Sequence, residues 1–89
     1  MQIEINEMNA LLGKALSGDM RGYKSVISGT ESDNEIEVYD LGRDGLFLKI
    51  VTTTDSYGSE YVSSIQFVEP KVKSVTDYQP IKYKIYEQF

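Results

Sequence analysis

The chain changes its hydrophobic period near Tyr23, and that change decides what it can fold into. Before it, Ile5, Met8, Leu11, Leu12, Ala15 and Leu16 recur at steps of three and four residues, the spacing of one stripe on an amphipathic helix. Asn6 suits the N-cap, Glu7 the first turn and Gly18 the stop, which predicts a helix from about Asn6 to about Ser17. Gly13 weakens its interior, so tertiary packing has to help hold it. After Tyr23, β-branched and aromatic residues alternate with polar ones between clusters of Gly, Asp and Asn, the pattern of antiparallel strands. Strands are expected near Tyr23–Ser28, Glu35–Asp40, Leu46–Thr54, Glu60–Val68, Val72–Asp77 and Ile81–Tyr86. The expected fold class is α+β: one N-terminal amphipathic helix (about 6–17) packed on an antiparallel meander sheet of four to six strands (about 23–87), in a single domain over residues 1–89.

Two turns pin the meander. Gly42-Arg43-Asp44-Gly45 supplies the positive-φ positions of a tight hairpin, and Asp55-Ser56-Tyr57-Gly58-Ser59 offers an Asp to cap and a Gly to reverse the chain. The strands they join should form the centre of the sheet. Pro70 and Pro80 cannot donate to a ladder, so each marks a turn, a bulge or an edge. Strict alternation puts Leu46, Leu48 and Ile50, with Tyr61, Ile65 and Phe67, on the face that meets the helix. It leaves Phe47, Val51, Val62 and Val68 on the opposite face, apolar enough to suggest a partner or a second subunit.

Composition narrows the function classes. The 89 residues contain no cysteine, histidine or tryptophan, which removes disulfides, thiolate nucleophiles and the commonest acid–base group active near neutral pH. A chain this short buries only roughly 60–65% of its unfolded surface, so a large internal cavity would hollow out the core. No catalytic residue, metal site or cofactor is expected, and the chain is expected to act by binding. The net charge of −5 disfavours direct binding to nucleic-acid phosphates. No apolar run approaches the ~20 residues of a membrane span, and Met1-Gln2-Ile3-Glu4 lacks the features of a secretion signal, so no membrane association and a cytoplasmic location are expected.

Charge is uneven: residues 31–69 carry nine acids against two bases, while residues 70–89 carry two against four. Glu31, Asp33, Glu35 and Glu37 occupy alternate positions, so any extended part of the run points its carboxylates one way. Consecutive members would lie ~6.6–6.8 Å apart, about two nucleotide steps along a DNA strand, which would suit a phosphate mimic. The favoured reading is plainer: a solvated loop and edge strand kept from aggregating by charge. Glu31-Ser32-Asp33-Asn34-Glu35 lacks the glycine and terminal glutamate of a calcium loop, and paired-carboxylate hydrolysis lacks any supporting polar machinery.

The hydroxyl-rich hairpin Thr52–Ser59 could hold a phosphate, though threonine is simply a good strand residue and no phosphate loop followed by a helix is present. Seven tyrosines are many for the length; tyrosine serves recognition surfaces and also packs half-buried in strands. For docking on a host protein, the candidate partner-binding set is Glu31, Asp33, Glu35, Glu37, Tyr39 and Tyr57. An alternative set, Arg43, Lys82, Lys84 and Tyr83, could line a site for a small anionic nucleotide shared between subunits. Ile81, Tyr83, Ile85 and Tyr86 alternate with lysines as a terminal strand that could pair in a homo-oligomer or add to a partner's sheet.

The stretch Asp55-Ser56-Tyr57-Gly58-Ser59-Glu60, followed by Ile65-Gln66-Phe67-Val68 and Lys71-Val72-Lys73-Ser74-Val75-Thr76, resembles the small uncharacterised accessory proteins that bacteriophages encode. The resemblance covers about the C-terminal half and transfers no functional residue. It implies an anti-defence role: an inhibitor that docks on a host defence protein, or an oligomeric sponge for a nucleotide signal. A phage structural or assembly subunit is the third reading.

Overall fold

The computed structural model describes residues 2–43, 45–70, 78–81 and, for the backbone alone, 84–86. It shows the α+β class that the change of period predicts: β1 (Gln2–Glu4), α1 (Ile5–Ser17), β2 (Lys24–Glu31), β3 (Asn34–Arg43), β4 (Leu46–Thr54), β5 (Glu60–Pro70), β6 (Tyr78–Pro80) and β7 (Lys84–Tyr86). Strands β2 to β6 form one curled antiparallel sheet in chain order, with β3, β4 and β5 at its centre as expected. The stretch expected as a strand over 72–77 lies outside the described residues.

The helix starts one residue earlier than expected. Glu4, not Asn6, is the N-cap, because its carboxylate accepts the Glu7 N–H at 3.0 Å and its backbone is still extended. Gly18 closes the other end at φ 75°, returning its N–H to the last turn. Leu11 and Ala15 are buried, but Leu16, expected on the same stripe, is 64% exposed because the sheet curls away beneath the helix C-terminus.

One face of the sheet meets α1. Leu46, Leu48 and Ile50 of β4 are buried there as expected, packed with Ile3, Leu11, Ala15, Met20 and Phe67. Alternation misassigns β5. Val51 lies opposite Ser64 and Thr52 opposite Val62, so Ser63 is an extra residue, and its hydroxyl donates to the Val51 carbonyl at 3.2 Å. The bulge turns Val62 to the core face, beside Ile65, and puts Tyr61 opposite Thr53 with half its surface exposed. On the opposite face, part of the apolar surface is covered within the chain. Val38 and Val68 are already buried within the chain, and Phe47 meets the Tyr78 ring edge-on at 5.2 Å.

The ends of the chain meet. β1, which the period does not reveal, pairs in parallel with β7, setting Gln2, Ile3 and Glu4 against Lys84, Ile85 and Tyr86. The terminal strand offered to a partner is therefore taken up on one side by the chain's own N-terminus. Ile81 packs half-buried against the core and donates its N–H to the Phe67 carbonyl at 3.1 Å. Pro80 sits on the edge strand β6, where its missing donor does no harm.

Candidate functional site

The helix covers only part of the concave face, and the uncovered part is an open groove of about 420 Å³ beneath the helix C-terminus. Its helix wall is Ala15, Leu16, Ser17 and Gly18; its floor is Glu35, Glu37, Tyr39, Ile50, Thr52 and Val62, with Met20 between. A shallower hollow of about 180 Å³ adjoins it, lined by Ser28, Gly29 and Thr30 of β2 and by the same Glu35 and Glu37.

Register explains why two acids face this way. Glu37 lies opposite Ile50, Tyr39 opposite Leu48, and Glu35 opposite Thr52, so all three β3 side chains share the face of the core. Glu37 and Glu35 therefore lie beside Ile50 and Thr52, in the groove walled by the last turn of α1. This departs from the plainer sequence reading: β3 is an internal strand between β2 and β4, not an edge, and its acids line a concavity.

The four acids do not form one ladder. Glu31 ends β2, Ser32 and Asp33 make the turn with Ser32 at φ 55°, and Glu31 pairs with Asn34, so only Glu35 and Glu37 lie side by side on one strand. Tyr39 joins them: its hydroxyl donates to the Glu37 carboxylate. Burial, reinforced by that carboxylate, pushes the Tyr39 phenol up to about 12, so it stays a neutral donor at physiological pH. Tyr57 lies elsewhere, 93% exposed at the tip of the β4–β5 hairpin.

Two carboxylates, Glu35 and Glu37, face the groove. No lysine or arginine is among the described residues that line it. The ion pairs among the described residues, Arg21 with Asp19 and Arg43 with Glu7, both at 2.9 Å, leave Glu35 and Glu37 out. The negative end of the α1 dipole lies at the same rim. The exposed side chain of Leu16 adds an apolar lip. The arrangement suits a long cationic side chain with an apolar stem, which can lay the stem on Leu16 and Val62 and set its head between carboxylates.

Only part of the alternative anion set falls among the described residues. Arg43 is engaged with Glu7 and with the Gln2 carbonyl at 3.3 Å, Lys84 is placed in β7, and residues 82 and 83 lie outside the described residues. No group of three or more acids able to hold a metal ion occurs among the described residues, and none of the described helices is long and apolar enough to cross a membrane. Sequence reasoning missed the groove contributions of Leu16, Thr52 and Val62. The spacing of Val62 and Ile65, three apart in a strand, was the signal for the bulge that brings Val62 in. Compared with known proteins, the chain matches no family model, no curated protein and no solved structure.

Proposed function

We propose that the chain is a non-catalytic binding domain whose concave groove accepts a lysine- or arginine-bearing segment of a partner protein and so occludes that partner's working surface. The observation that carries this reading is the placement of Glu35 and Glu37 on the core-facing side of an internal strand, in an open groove with no cation among its described lining residues. Two like charges held side by side repel each other, and a cationic side chain is the ligand that converts the repulsion into attraction. The resemblance to phage accessory proteins suggests a host defence protein as the partner, and the groove's two carboxylates call for a basic surface on it.

The test is titration of the protein with a synthetic lysine-rich peptide, followed by calorimetry at low and high salt. Binding should weaken steeply as salt rises and should fall by about tenfold or more in the Glu35→Gln, Glu37→Gln double variant. Equal binding by the variant, or binding indifferent to salt, rules the groove out as the site.

A further inference from the structure

The sheet ends on one side in β2, and among the described residues nothing pairs with the outer edge of that strand. Ser28, Gly29, Thr30 and Glu31 are all exposed. Its charged residues sit only at its ends, Lys24 and Glu31; from Ser25 to Thr30 it has neither a charged residue nor a proline. Its irregularity is confined to one end, where the register shifts between Ser25 and Ile27, so Ile27–Glu31 presents a regular run of backbone donors and acceptors. Such an edge accepts an added strand.

The same strand lines the hollow that adjoins the acidic groove and shares Glu35 and Glu37 with it. Thr30 lies opposite Glu35 and Ser28 opposite Glu37, which places both short hydroxyl side chains on the concave face between the free edge and the carboxylates. A strand added beyond β2 would run about 10 Å from β3, two strand spacings. A lysine or arginine on its concave face and a glutamate reaching from β3 close that gap across Ser28 and Thr30. Alternate residues of the added strand share that face, matching the alternation of Glu35 and Glu37.

We infer that the groove's ligand is an extended segment of a partner protein that adds as a strand to the Ile27–Glu31 edge of β2, directing alternate lysine or arginine side chains over Ser28 and Thr30 onto Glu37 and Glu35. This rests on the reading that the groove binds a basic segment, and it names the conformation that segment takes. Backbone pairing supplies sequence-independent affinity, and the carboxylates select the charge.

The probe is a short synthetic peptide alternating lysine with threonine and valine, in three forms: unmodified, N-methylated on its odd residues, and N-methylated on its even residues. Methylation removes donors from one edge of the peptide only. One methylated form should bind about tenfold or more weaker than the unmodified peptide while the other binds almost as well. Hydrogen exchange on the complex should show alternate amides of Ile27–Glu31 newly protected. If the two methylated forms bind alike and the β2 amides stay unprotected, strand addition is overturned while the acidic groove stands. If the unmodified peptide does not bind, or binds the Glu35→Gln, Glu37→Gln variant equally, the groove reading falls and this inference with it. A concentration-dependent dimer of the free protein that protects the same β2 amides assigns the edge to a second copy and also overturns the inference.

Discussion

Tyr39 donates its hydroxyl to the carboxylate of Glu37, two residues earlier on the same strand, so the phenol at the groove's floor titrates under the influence of that carboxylate. Burial and the neighbouring carboxylate disfavour the phenolate, raising the folded pKa to about 12 against about 10 in the unfolded chain. The folded state therefore holds this proton more tightly. The resulting stabilisation is fully present below pH 10 and is lost as pH rises from about 10 to about 12. Alkaline titration followed by ultraviolet absorbance should show a late tyrosine ionisation, and Tyr39→Phe should remove that late step. Because the bond is only part-buried, the same variant should lower stability by no more than about 1 kcal/mol.

Leu48 is fully buried on the central strand, opposite Phe67 of β5 and Tyr39 of β3. Leu48→Ala deletes buried methyl groups where the flanking strands leave little room to collapse. A loss of about 2–5 kcal/mol is expected, a large share of the stability of a domain this small. Urea denaturation with an unchanged slope and a lower midpoint would report it. A loss below about 1 kcal/mol would mean that β4 is not the centre of the core.

The β4–β5 hairpin tip depends on a few backbone requirements. The Asp55 carboxylate accepts N–H groups from Tyr57 and Ser59, each at 2.9 Å, and Gly58 sits at φ 83°. A methyl group at Gly58 would meet nothing within 4 Å, so the penalty of Gly58→Ala is conformational alone. It should be about 1 kcal/mol. Asp55→Ala should destabilise by a similar or larger amount, about 1–2 kcal/mol, by leaving two amides to water. Thermal melts of the two variants should differ in that order, with Tyr57→Ala close to neutral because its side chain is 93% exposed.

The parts of the fold legible in the sequence are those set by local periodicity. The helix and the Leu46-Leu48-Ile50 face follow from repeats of three to four and of two, and the Asp55–Ser59 turn from its Asp and Gly; they stand in the structure, except that Leu16 at the end of the stripe is exposed. What escaped the sequence is set by partners distant along the chain. Three residues such as Gln2–Glu4 carry no periodic signal, and only β7, some eighty positions later, makes them a strand. The Ser63 bulge broke the assignment of Tyr61 and Val62, since one inserted residue exchanges the two faces for everything before it. The candidate site was half visible. Alternation announced that Glu35 and Glu37 point one way; which way depended on the register with β4 and on where α1 stops covering the sheet.

That placement yields a prediction in which stability and binding move in opposite directions. Glu35 and Glu37 stand about 6.6–6.8 Å apart at strand rise on one face, without an ion-pair partner among the described residues. Their mutual repulsion is screened as the Debye length shrinks from about 10 Å at 0.1 M salt to about 3 Å at 1 M. The native protein should therefore gain a little stability on adding salt. The Glu35→Gln, Glu37→Gln variant should be more stable at low salt by about 0.5 kcal/mol and should lose that advantage at high salt. Glutamine at position 37 still accepts the Tyr39 hydroxyl, so the comparison isolates charge from hydrogen bonding. Parallel denaturation curves at low and high salt measure the difference. A variant less stable than the native protein at low salt would mean that the two carboxylates are held by compensating contacts, and a groove already satisfied in that way has no need of a cationic ligand.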